Sequence, residues 1–171
     1  MRIDELSEGD AYHQLGNLSA LLIDSVESGA SVGFMAGLTP SEAEAFWTEM
    51  LEGIPTGRTH LFAALERQNL IGAVLLLPAA RPNQPHRADV AKLLVLRSAR
   101  RKGVASRLMN ALEERALALG RTLLTLDTAT ESGAEPFYRG RGYQRAGIVP
   151  NYALMPDGSF CATSIYYKQV A

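Results

Sequence analysis

The chain has 171 residues, 47% of them hydrophobic, with 17 Lys and Arg against 18 Asp and Glu and a formal net charge of −1. That length and apolar content predict one α/β domain, residues 1–171, and the charge balance argues against a general nucleic-acid binder, which carries a basic excess. With Cys161 the only cysteine, an intrachain disulfide and a cysteine metal cage are excluded.

Residues 2–6 (RIDEL) read as a short strand. Tyr12, Leu15, Leu18, Leu22 and Val26 then recur at helical spacing until Ser28-Gly29. Residues 29–37 (GASVGFMAG) are glycine-rich yet carry Val32, Phe34 and Met35, which suggests a mobile segment covering something or a loop packed on the core. Thr39-Pro40-Ser41-Glu42 is a capping box opening a second helix, with Phe46, Trp47, Met50 and Leu51 along it. Residues 59–66 and 70–80 predict two strands around a turn at 67–69. Residues 86–96 (HRADVAKLLVL) predict a strand buried on both faces. A helix follows, with Val104, Leu108, Ala111, Leu112, Ala116 and Leu119 on one stripe and Gly120 as its stop. Residues 122–128 predict another buried strand. Ser132 and Glu135 suggest a second capping box for a short helix over 134–142. Pro156-Asp157-Gly158 then joins a hairpin built from 143–149 and 162–170. This order predicts one mixed sheet with helices on both faces.

Residues 99–109 (ARRKGVASRLM) gather positive charge where a strand turns into a helix. The first amides of a helix lack intrahelical acceptors, and its dipole places roughly half a positive charge there, so such a turn suits an anion. Neither G-x-x-x-x-G-K-[ST] nor G-x-G-x-x-G is present, which disfavours nucleoside triphosphates and dinucleotides. What stands there is R-x-x-G-x-A: Arg100, Arg101, Lys102, Gly103, Val104, Ala105, with Ser106 completing the turn. Further on, Ala134, Phe137, Tyr138, Gly142 and Tyr143 fit A-x-x-[LF]-Y-x-x-x-G-[FY].

In these two motifs, their order and their strand context, the chain resembles the GCN5-related N-acetyltransferase (GNAT) superfamily. GASVGFMAGL, RADVAKLLVL-x-SAR, LLTLDT and the PDG hairpin look most like its tabtoxin-resistance acetyltransferases, which acetylate a small β-lactam amino acid. The resemblance implies a mostly antiparallel mixed sheet in which two parallel strands splay apart. It implies acetyl-CoA as co-substrate, with its pyrophosphate on the 100–106 turn and its pantetheine arm along the backbone of Leu93, Leu94 and Val95. It also implies that a main-chain amide of that strand, exposed by a bulge, holds the oxyanion.

An amine with a pKa near ~10 is almost wholly protonated at neutrality, so a base must take its proton. Asp89 and Asp127, on the two adjacent strands, are the candidates; each could instead be a strand-end carboxylate bound to backbone or to an arginine such as Arg87. Tyr138 matches the family tyrosine near the thioester sulfur, where a hydrogen bond to the developing thiolate is its expected role. Two positions depart from the family pattern: Arg97 replaces a common proline, and Glu131 an asparagine that contributes a cofactor hydrogen bond. His13, His60 and His86 show no ligand spacing, and no metal is expected.

The resulting expectation is an acetyl-CoA-dependent N-acetyltransferase acting on a small-molecule amine between the 29–38 loop and residues 150–160. A non-catalytic acyl-CoA-binding module and a protein or peptide acetyltransferase are the alternatives. A homodimer is compatible with the resemblance. Residues 1–10 lack a signal-peptide apolar run, and no stretch approaches the ~20 apolar residues of a membrane span, so a cytoplasmic location without membrane or nucleic-acid partners is expected.

Overall fold

In the computed structural model, which describes residues 1–171, the chain runs β1 (Arg2–Glu5), α1 (Glu8–His13), α2 (Leu15–Glu27), α3 (Pro40–Leu51), β2 (His60–Glu66), β3 (Asn69–Pro78), β4 (Arg87–Val95), α4 (Val104–Ala118), β5 (Leu123–Ala129), α5 (Ala134–Gly140), β6 (Gln144–Leu154) and β7 (Phe160–Gln169). The seven strands form one sheet in the order β1-β2-β3-β4-β5-β7-β6. Every pair is antiparallel except β4–β5. No helix is long and apolar enough to cross a membrane.

Side-chain alternation along the strands divides the apolar residues between two cores. Phe62, Ala64, Val74, Leu76, Ala88, Val90, Leu124 and Leu126 face α4 and pack on Val104, Leu108, Met109 and Leu112. Leu61, Ala63, Leu65, Ala73, Leu75 and Leu94 face the other way, onto Leu18, Leu21, Leu22, Trp47 and Leu51. This double coverage explains the unbroken apolar runs of β2 and β3.

The expectation that β4 and β5 are buried on both faces is corrected. In β4 only Ala88, Val90 and Leu94 are buried, and in β5 only Leu124 and Leu126. Their parallel ladder covers just three positions, ending at Asp89 opposite Thr125, and beyond it the two strands part.

The single first helix is also corrected. It breaks at Gln14 (ψ 2°) into α1, capped by Ser7, and α2. Tyr12 is exposed, and Ala11 takes the buried place instead. The capping box at Thr39 and Glu42 is present, with both reciprocal bonds. Segment 29–37 is a loop packed on the core: Val32 and Phe34 lie against the α2/α3 cluster, and of its three large apolar side chains Met35 alone is exposed.

Gly72 on β3 sets how closely α4 approaches the sheet. A Cβ there would lie 2.9 Å from the Leu94 carbonyl oxygen and 3.0 Å from Val104 Cγ1. Gly72→Ala is expected to cost about 1–3 kcal/mol by overpacking. For a chain this size that lowers Tm by roughly 2–10 °C. Thermal unfolding checks it, and an unchanged Tm would mean that α4 shifts without cost.

Candidate active site

The cationic turn begins with one 3-10 turn, Arg97–Ala99. Arg101 (φ +64°) and Gly103 (φ +78°) both take left-handed backbone, and Gly103 is the N-cap of α4. Residues 101 to 106 donate to no turn or cap carbonyl. The first helix amide that does is Arg107, to the Gly103 carbonyl at 3.2 Å. A run of unsatisfied, co-directed amides is the physical basis of an anion cradle.

The three cations of the turn are not equivalent. Arg100 donates to the Val95 carbonyl (3.1 Å) and to Ser28 Oγ (2.9 Å), and Lys102 Nζ donates to the Ser98 carbonyl (2.9 Å). Their side chains shape the loop. Arg101, exposed and without a hydrogen bond or ion pair, is the one left for a ligand.

Arg97 carries more than the sequence suggested. Its amide and guanidinium donate to Asp24 at 2.9 and 2.7 Å, and the guanidinium reaches Glu27 at 3.2 Å, tying the turn to the end of α2. Burial works to raise the Asp24 carboxyl, but these bonds and the Arg97 charge outweigh it and hold it below the ordinary range.

At the middle of β4 the ladder with β3 slips by one residue. Ala73 pairs with Leu94 but Leu75 with Ala91, and Lys92 adopts φ +51°. The extra residue is a bulge, which leaves main-chain groups without ladder partners and re-aims side chains. It lies beyond the last rung shared with β5. The backbone of Leu93, Leu94 and Val95 therefore borders the opened gap, while Leu94 itself is buried. Ala105 and Ser106, half-buried, begin α4 at the same end, and Val104 is core.

The two candidate carboxylates differ. Asp89 stands on the last rung of the parallel ladder and accepts from Arg87 Nη1 at 2.6 Å and from the Thr125 hydroxyl. Asp127 lies two residues beyond that rung on β5, exposed, with neither a hydrogen bond nor an ion pair. Both are out of phase with the residues that face α4, so they share the α2/α3 face.

Tyr138 comes from the opposite face, on α5. It is 7% exposed, in an aromatic cluster with Phe137, Tyr143 and Tyr166. Its hydroxyl has no protein partner, yet it is not among the sealed unpartnered atoms, which are Trp47 Nε1, Arg121 Nε and Arg141 Nε. The hydroxyl therefore opens on solvent. Burial, and then the Asp127 charge, push the phenol up to about 12.

Two acids whose packing roles sequence reasoning missed, Glu135 (buried) and Glu113 (half-buried), hold α5 in place. Glu135 does not cap its helix, whose N-cap is Gly133 without a side-chain bond. It turns inward instead, accepting from the Tyr166 hydroxyl at 2.8 Å and the Glu131 amide at 2.7 Å. Burial raises this carboxyl, but the Tyr166 and Ser164 hydroxyls, the Glu131 amide and Arg145 more than offset it and leave it lowered. Glu131 thereby takes left-handed backbone (φ +63°), a conformation asparagine tolerates better. Glu113 on α4 receives Lys168 Nζ (2.8 Å), Arg141 (3.2 Å) and the Tyr143 hydroxyl (3.3 Å), joining α4 to β7 and to the end of α5.

A helix start with unsatisfied amides, a bulged strand, and a parallel pair that opens beyond three rungs follow one another at the C-terminal end of β4. The sequence model of the acetyltransferase (GNAT) family matches residues 27–143. The chain belongs to the GNAT family. Enzymes of this family are N-acetyltransferases that use acetyl-CoA. The fold is shared along its whole length with an N-acetyltransferase from Staphylococcus aureus Mu50 (TM-score 0.81, 19% identity, 99% of this chain and 98% of that one). It is shared equally with the ribosomal-protein-alanine N-acetyltransferase from Brucella melitensis (TM-score 0.79, 19% identity, 99% of each chain). The yncA protein of Salmonella typhimurium, solved with its cofactor acetyl-CoA, superposes with TM-score 0.80 at 12% identity over 100% of this chain and 94% of its own.

Proposed function

We propose that this GNAT enzyme moves the acetyl group of acetyl-CoA directly to the amine of a small molecule bound beside it. The observation that carries the reading is the pair of partnerless groups, Asp127 and the Tyr138 hydroxyl, that approach the opened β4–β5 gap from opposite faces. A module that only binds acyl-CoA needs neither.

Acetyl-CoA supplies the activated acetyl thioester. The amides of 101–106 with Arg101 would hold its phosphates, and the main chain of Leu93, Leu94 and Val95 its arm. Asp127, directly or through water, takes the proton of the attacking amine. A main-chain N–H at the bulge stabilises the negative charge that develops on the carbonyl oxygen, a fixed donor that needs no reorganisation. Tyr138 donates to the departing sulfur. Its raised pKa keeps the phenol a neutral donor, so the role is a hydrogen bond and not complete proton transfer to a thiolate.

A small acceptor is supported by the 29–38 loop, whose Ala36 amide donates to the Pro156 carbonyl at 3.0 Å, joining loop and hairpin across one end of the α2/α3 side. The test is release of free CoA across a panel of amines, amino acids and β-lactam analogues, with calorimetry of acetyl-CoA alone. Tight binding without turnover on any acceptor would favour the non-catalytic module, and turnover confined to peptides a protein acetyltransferase.

Tyr138→Phe is expected to lower kcat roughly tenfold with stability within about 1 kcal/mol, since the hydroxyl it removes has no protein partner. The wild-type enzyme should show no loss of kcat from this phenol up to pH 10, because a group titrating near 12 stays protonated there. A variant with wild-type turnover would remove the thiolate role.

A further inference from the structure

Lys92 is the cation that the proposed reaction does not use. It occupies the bulge of β4 in left-handed backbone, which turns its side chain to the same face as Asp89 and Asp127. Its Nζ lies 5.3 Å from the Phe46 ring centre, and a Cβ on Gly33 would come within 3.7 Å of it. Phe34 meets Phe46 edge-on at 5.3 Å, so the ammonium sits beneath the 29–38 loop against an aromatic corner. It makes no hydrogen bond and no ion pair. The neighbouring cation on this face, Arg87, is already taken by Asp89, Thr125 and Gln84, and Arg97 and Arg100 are bound to the end of α2.

Burial lowers the Lys92 pKa and the Asp127 charge partly opposes this. A half-buried lysine with no partner is costly to keep charged, and an anion arriving beside it removes that cost. The surrounding groups are one ammonium, two aromatic rings and one carboxylate. A single point charge without a second free cation suits a carboxylate better than a phosphate dianion.

We infer that Lys92 is a specificity-determining residue that binds a carboxylate of the acceptor, so that the acetylated molecule is an amine carrying a carboxylate group, its ammonium end toward Asp127 and its anionic end toward Lys92. The inference rests on the acetyl-transfer reading and names the acceptor class for the same site. It also accounts for the bulge residue being a lysine within an otherwise apolar run, where an alanine or leucine would pack with less cost.

The experiment measures free CoA release with α-, β- and γ-amino acids and their matched primary amides, using wild type, Lys92→Met and Lys92→Arg, with calorimetry of acetyl-CoA on each. Converting acid to amide makes the amine less basic and so more reactive at neutrality. A preference for the acid therefore reports binding of the carboxylate.

The expected result is a wild-type preference for the acid of about 10- to 100-fold in kcat/KM, carried by KM. Lys92→Met should erase it while leaving the amide's kcat/KM and acetyl-CoA binding unchanged, and Lys92→Arg should restore part of it. Three results overturn the inference: no acid preference in wild type, an equal loss on acid and amide in Lys92→Met, or turnover of none of the carboxylate-bearing amines. Failure of the underlying reading looks different: acetyl-CoA does not bind to wild type. Turnover of carboxylate-free amines alone would leave the transferase standing and remove the Lys92 role.

Discussion

Asp127→Asn is expected to lower kcat by roughly 100- to 1000-fold while the Kd for acetyl-CoA stays unchanged, the range set by removing a positioned general base. At pH 7 an amine with a pKa near ~10.4 is neutral in only about one molecule in a few thousand, so a reaction without a base must wait for that fraction. The residual activity of the variant should therefore rise about tenfold per pH unit until the acceptor's own amine is titrated, where the wild type is flatter. Asn keeps the size of the side chain, and Asp127 is exposed and unpaired, so folding should be unaffected. Loss of the Asp127 charge should also relax the Tyr138 phenol downward, although burial, the larger cause, remains.

Asp89→Asn makes the contrast. Its carboxylate is held by Arg87 and Thr125 at the closed end of the parallel ladder, where it bridges β4 and β5. An asparagine still accepts one of those bonds. The expected loss is less than about tenfold, in KM and stability more than in kcat. If instead Asp89→Asn gives the large defect and Asp127→Asn the small one, the roles are exchanged and the proton leaves toward the paired end of the strands.

The start of α4 at Gly103, its apolar stripe and the short helix carrying Tyr138 were legible in the sequence because each is a local pattern: a glycine at a left-handed N-cap, a 3.6-residue period, a fixed motif. The box at Thr39 and Glu42 could be read for the same reason. Ser132 and Glu135 offered the same spacing and did not form one. The buried Tyr166 hydroxyl, 31 residues away, competes for Glu135, and that competition is tertiary. The break at Gln14 was equally hidden, since the apolar period continues through it. Arg100 and Lys102 counted as ligand charge in the sequence and are spent on loop carbonyls and Ser28. Lys92 had a signal that could have been used: a lysine inside the apolar run of 90–96 must leave the strand face, lie at an edge, or serve a site. Only the bulge, which depends on pairing with β3, shows that it leaves the strand's alternation and takes the α2/α3 face.

Gly103→Glu is expected to weaken acetyl-CoA binding at least about 100-fold, close to 3 kcal/mol. Two effects act on different quantities. Any L-residue at φ +78° costs roughly 1–2 kcal/mol of folding stability, in the free and the bound protein alike. A carboxylate at the N-cap also places negative charge where the unsatisfied amides of 101–106 and Arg101 would meet phosphates. Gly103→Ala separates the two. Nothing lies within 4 Å of the position its Cβ would take, so it carries the backbone strain alone, expected as a stability loss of about 1 kcal/mol with affinity reduced less than about fivefold. Arg101→Ala, which removes the one cation of the turn with no protein partner, should fall between them and lose most of its effect in high salt. Calorimetry orders the three. A Gly103→Glu protein that binds acetyl-CoA as wild type does would mean that the phosphates lie elsewhere. The co-directed amides of the turn would then serve only to start α4, and the β4–β5 gap would need another entrance.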